Sequence, residues 1–314
     1  MRAIAIPIAI IAGFITWAAS YAWQHRPPHD FASVDALLPT RGAAARTASA
    51  STQPDYATRF RDEDDLLTFA MNLAPVARAG DAAAQFTLYR IGERCGEAFW
   101  RTFAFHDIKH DRQPTAEETI AQWESRGFER AALERLFQQC EHYGRSDVRE
   151  TLFQDDWIQQ AADAQHPLAQ AVLADRISQM IFPDLGAYVP DRELSARAST
   201  LARAALRSKE PAVIYQLAQA ASLFGRPLES SDEIRLVWIV AACLRGLDCD
   251  AGSEAYRREC PVRQSCGSNQ TLLDAYRQQY RLSYERFERQ ARALNALIDA
   301  GRVDEVGFEH MPRG

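Results

Sequence analysis

Residues 80–89 read Gly-Asp-Ala-Ala-Ala-Gln-Phe-Thr-Leu-Tyr, and this stretch sets the grammar of the chain. Before it, Leu66, Phe69, Ala70, Leu73 and Ala77 recur at helical spacing behind the acidic opening Asp62 to Asp65, which suits a helix N-terminus. Gly80 stops that helix, and a second begins with a small residue four positions on, Ala84, and a leucine at Leu88. The same order returns at Gly127, Ala131 and Leu136, at Gln165, Ala169-Gln170 and Leu173, and at Lys209, Val213 and Leu217. A degenerate last copy ends at Gly246, after Trp238, Ala241 and Ala242. The turn positions are 37 to 47 residues apart. A period of that size, with small residues where two helices must approach closely, predicts helical hairpins that bury their apolar stripes against one another. No strand-like alternation is long enough to compete.

The best copy, Gly80-Asp81 with Ala84, Gln85, Leu88 and Tyr89, and the next, Ala164-Gln165 with Ala169, Gln170 and Leu173, resemble the Sel1-like branch of the tetratricopeptide-type helical repeats. The resemblance covers about residues 60 to 250. Its departures are the missing turn glycine at Gln165 and Lys209 and the prolines Pro167 and Pro211 early in their helices. It implies an all-α fold, an α-solenoid of stacked hairpins that serves as a scaffold for protein contacts.

The rest of the chain divides around this region. Residues 3–23, AIAIPIAIIAGFITWAASYAW, are apolar but for Thr16 and Ser20, about the length that crosses a bilayer as a helix. Residues 1–24 therefore read as an inner-membrane anchor or, cut near Ala18-Ala19-Ser20 or Ser20-Tyr21-Ala22, as a signal peptide. Either route exports the bulk of the protein to the periplasm. Residues 25–55, rich in Pro, Ala, Ser and Thr, form a linker without a sustained apolar period. Residues 56–314 form the helical domain, with a disulfide-stapled cap over 243–314.

Export gives the six cysteines a meaning, since an even number in an oxidising compartment reads as a disulfide framework. Cys243, Cys249, Cys260 and Cys266 crowd into 24 residues without the Cys-x2-Cys pairs of zinc ribbons. Three pairings are open. The symmetric spacing favours a nested one, Cys243 with Cys266 and Cys249 with Cys260, which leaves Cys95 to pair with Cys140. Beyond Cys266, residues 271–300 lack Gly and Pro and carry a stripe of Leu273, Tyr276, Tyr280, Phe287, Ala291, Leu294 and Leu297. They predict one long amphipathic C-terminal helix ending at Gly301.

Composition excludes some functions and leaves others open. A formal charge of -6 argues against a dedicated nucleic-acid binder, whose affinity comes from clustered cations releasing counterions. His106 and His110 stand at the i, i+4 spacing of a zinc helix, but Asp107 replaces the glutamate base and no third ligand follows. No Gly-rich phosphate loop and no nucleophile elbow appear, and no cofactor is expected. Tyr89, Phe99, Trp100 and Phe103 fall in an aromatic-rich region, as core or as anchors for a partner. The sequence thus predicts a non-catalytic exported scaffold or adaptor that binds a protein or peptide in the bacterial cell envelope. A metal-dependent hydrolase using His106 and His110, or an envelope chaperone for a secreted partner, are the alternatives.

Overall fold

The computed structural model describes residues 56–103, 115–125, 130–153, 156–181, 192–224, 231–251 and 270–306, together with 253, 255, 256, 258 and 259. The proposed anchor, the linker, the pair His106 and His110, and Cys260 and Cys266 lie outside the described residues. Within them the protein is all-α, with no strand, and no described helix is long and apolar enough to cross a membrane.

The chain runs α1 Tyr56–Asp62, α2 Leu66–Arg78, α3 Ala82–Phe103, α4 Ala116–Glu124, α5 Arg130–Gln139, α6 Ser146–Phe153, α7 Trp157–Asp163, α8 Pro167–Ile181, α9 Arg192–Leu206, α10 Pro211–Phe224, α11 Ser231–Leu244, α12 Leu272–Gln279 and α13 Tyr284–Asp299. Local chemistry starts several of these helices. Asp65 caps α2 by accepting from the amides of Leu67 and Thr68 at 3.1 and 3.0 Å, and Thr115 with Glu118 closes a reciprocal capping box on α4.

The helix ends repeat one geometry. Gly80, Gln165, Lys209, Gly246 and Gly301 all have positive φ, at 99°, 63°, 61°, 104° and 72°. Each donates its amide to the carbonyl three residues earlier, Ala77, Ala162, Leu206, Cys243 and Ile298 respectively, at 3.0 to 3.1 Å. A glutamine five residues after the turn repeats too. Gln85 Nε2 donates to the Ala77 carbonyl at 2.9 Å, and Gln170 Nε2 donates to the Ala162 carbonyl at 3.3 Å. The backbone enters the left-handed region at Gln165 and Lys209 without glycine, at a cost of about 1 kcal/mol each, because the same carbonyl bond must close there.

Packing follows the chain. α2 lies on α3, α3 on α7, α7 on α8, α8 on α9 and α10, α10 on α11, and α11 on α13. Fully buried Ala84, Ala169, Ala174, Ala202 and Ala241 let these helices come close. One apolar cluster gathers α1 to α3 with α5, α6 and Trp157 of α7, around Phe60, Leu66, Leu88 and Ile91. A larger one runs from α7 to α13, around Leu168, Ile177, Leu217, Ile239 and Phe287. α3 walls both, with Leu88 in the first and Phe86 in the second.

Two sequence expectations are corrected. Cys95 is bridged to Cys140, tying α3 to the end of α5, but Cys243 is bridged to Cys249, so neither Cys243 with Cys266 nor Cys249 with Cys260 forms. The left-handed turn at Gly246 folds the chain back on the end of α11, which brings Cys249 within 5.8 Å of Cys243, Cα to Cα. The long terminal helix is also two. α12 stops at Tyr280, and the amides of Ser283 and Tyr284 both bond the Tyr280 carbonyl at 2.8 Å. The Tyr280 ring packs edge-on to Tyr276 and Phe287, with centroids 6.3 and 5.7 Å away. The bend lets α12 turn Tyr276 into the core while α13 runs along α11. There Asn295 Nδ2 reaches the Ala241 carbonyl at 2.9 Å.

Candidate functional site

The inner helices α3, α8 and α10 carry polar groups that an apolar interior admits only when they are bonded. On α3, Glu93 accepts from Arg176 of α8 at 2.7 Å, and the Arg176 guanidinium lies 4.8 Å from the centroid of the Tyr89 ring. Burial raises the Tyr89 phenol pKa, and the Glu93 carboxylate raises it further.

One position along α8, Asp175 is 7% exposed. Its Oδ2 accepts from Gln179 Nε2 at 3.2 Å, on the same helix face, and from Gln216 Nε2 of α10 at 3.3 Å. Its Oδ1 is buried and accepts no hydrogen bond. Burial pushes the Asp175 carboxyl up to about 7, against the opposing pull of the two amides and of Arg258 and Arg176. The geometry of α8 follows from its start. Gln165 turns left-handed, Pro167 opens the helix where its missing amide costs nothing, and His166 Nδ1 accepts from the Ala169 amide at 3.4 Å. Burial and then nearby Arg90 push the His166 imidazole down to about 4, leaving it neutral against the Phe86 ring at 4.5 Å.

The third group is centred on Glu259, which is 1% exposed. It accepts from the Tyr215 hydroxyl at 3.2 Å and the Tyr276 hydroxyl at 3.1 Å, and it is paired with Arg235. Burial works against the Arg235 charge, but Glu259 and the two phenols hold its pKa above the usual arginine value. Burial and then Glu259 raise the Tyr215 phenol pKa.

The sequence candidates fall differently. Tyr89 is held between Phe86, stacked at 6.0 Å, and Arg176, as part of this packing. Phe99, Trp100 and Phe103 lie in the last part of α3, with their side chains outside what the structure describes. His106 and His110 are outside the described residues, among which no three His, Cys, Asp or Glu side chains are grouped to hold a metal ion. Sequence reasoning missed Asp175, Arg235 and Glu259. For Asp175 a signal was present, since it is the one acidic residue in the mostly apolar run from Leu168 to Ile177. For Glu259, beside Cys260 in a charged stretch, no pattern marked it.

No protein-family model, no curated protein and no solved structure matches this chain. Chemically, the arrangement offers one carboxyl poised to exchange a proton near neutrality and two ion pairs whose partners are already bonded to each other.

Proposed function

We propose that the protein is a non-catalytic exported scaffold or adaptor of the bacterial cell envelope. In this reading the hairpins stack as a Sel1-like or tetratricopeptide-like solenoid and bind a protein or peptide partner on the concave side. The observation that carries it is the recurrence of one helix-ending turn, left-handed at Gly80, Gln165, Lys209 and Gly246, with the same glutamine bond at Gln85 and Gln170. Repetition of a single supersecondary unit builds extended surface more readily than it builds an enclosed reaction site. The bridges Cys95 to Cys140 and Cys243 to Cys249 support an oxidising compartment, in keeping with the apolar residues 3–23 acting as an anchor or a cleaved signal. The test is to cross-link the tagged full chain in intact cells, then purify it from detergent-solubilised envelopes. A partner recovered at constant stoichiometry is the expected result. A chain recovered alone, carrying zinc that is lost in a His106→Ala, His110→Ala double variant, overturns the proposal in favour of a metal-dependent hydrolase.

A further inference from the structure

Asp175 is the one carboxyl among the described residues that is buried with a side-chain oxygen accepting no hydrogen bond. Its bonded oxygen joins two helices, through Gln179 of its own α8 and Gln216 of α10. An ionised carboxylate held there would leave one charged oxygen with no donor, whereas a protonated carboxyl removes the charge and keeps both amide bonds to Oδ2.

The charges around it do not cancel that cost. On α8 the adjacent Arg176 is bonded to Glu93 of α3, beneath which lies the Tyr89 phenol, so its charge is already shared. From α10 come Tyr215, whose hydroxyl is spent on Glu259, and the neutral Gln216. Arg258 acts on Asp175 from a distance, and its guanidinium lies 6.0 Å from the centroid of the Tyr215 ring. The buried face of α9 is serine, alanine and leucine, and that of α7 is Trp157, Ile158, Ala161 and Ala162, so neither brings a group that titrates.

From this geometry we propose that Asp175 is a proton-operated latch between α8 and α10, closed while the carboxyl keeps its proton and loosened when it ionises. Separation of the two helices exposes Oδ1 to water, where a carboxyl has a pKa of ~3.9, so opening releases a proton. The carboxyl in the closed protein is pushed up to about 7. The opening equilibrium therefore grows about tenfold per pH unit below neutrality and levels off above it. The latch uses no partner, so its failure and that of the scaffold reading are separate outcomes.

Amide hydrogen exchange of the full chain in mild detergent, followed from pH 5 to 8 and corrected for the intrinsic exchange rate, tests it. Protection of peptides from α8 and α10 should fall by about tenfold per pH unit up to about pH 7 and then level, while peptides from α2 stay flat. The Asp175→Asn variant should hold its protection across the whole range. Flat wild-type protection in α8 and α10, or an unchanged slope in Asp175→Asn, overturns the latch. Should Asp175→Asn not fold, infrared titration of the wild type decides. A protonated-carboxyl stretch present at pH 6 and gone by pH 8 is expected, and its absence at pH 6 overturns the proposal.

Discussion

Asp175 and Glu259 lie at nearly equal depth, 7% and 1% exposed, yet the fold treats them in opposite ways. Glu259 receives a guanidinium and two phenols, one from each of three elements, so that both of its oxygens are bonded. Asp175 receives two amides on one oxygen and nothing on the other. Depth alone therefore does not decide how a buried carboxyl is held; the supply of donors does. Glu259 ties α10, α11 and α12 together, whereas Asp175 joins α8 to α10 through bonds that neither need nor satisfy a negative charge.

Breaking the Glu259 group should have the largest effect. Arg235→Met leaves a buried carboxylate without its cation and should lower the unfolding free energy by about 3 kcal/mol, measured by guanidinium denaturation at pH 7. Adding Glu259→Leu to that variant should recover part of the loss, because the unpaired charge disappears with it. The opposite sign is expected at the other carboxyl. Its raised pKa means that the folded state holds more protons than the unfolded state between about pH 4 and 7. That contribution is favourable at acid pH, is lost as pH rises through this window, and is fully lost above about 7. Asp175→Asn should therefore stabilise the protein by on the order of 2 kcal/mol at pH 8, with little effect at pH 4, as read from denaturation midpoints at the two pH values.

Smaller changes sharpen the contrast. Tyr276→Phe removes one of the three donors on Glu259 and should cost about 1.5 kcal/mol, whereas Gln216→Leu, measured at pH 5 where Asp175 is protonated, should cost about 0.5 to 1 kcal/mol. Gln165→Gly touches neither carboxyl and relaxes a left-handed non-glycine residue at a turn. It should change stability by no more than about 1 kcal/mol, in the stabilising direction, with the pH dependence unaltered. A Gln165→Gly variant that shifted the pH profile would show that the turn and the latch are one unit.

The turns were the most legible part of the chain. Every described residue with positive φ stands at a position that the repeat pattern or the C-cap rule marks, including Gln165 and Lys209, where glycine is missing. Helix termination there is written locally, in the small residues and prolines on either side. The pairing within the cysteine cluster was not legible, because Cys243 has three partners at permissible separations and only the fold-back at Gly246 selects Cys249. Nor was the break at Tyr280, since a stretch without Gly or Pro bends when aromatic packing on both sides outweighs the lost helical bonds. The site was hardly legible at all. Asp175 was visible as an oddity in an apolar run, but its donors are 4 and 41 residues away.

The amino-acid sequence by itself determined the all-α class, the recurring turns and the helix start behind Asp65, since these follow from periodicity and backbone preference within a few residues. Only the tertiary structure decided which cysteines meet, where the last helix bends, and that Glu259 is fully bonded while Asp175 is left one donor short. These outcomes depend on which side chains from distant helices arrive at one point in space, and a carboxyl's charge in the interior is set by those arrivals.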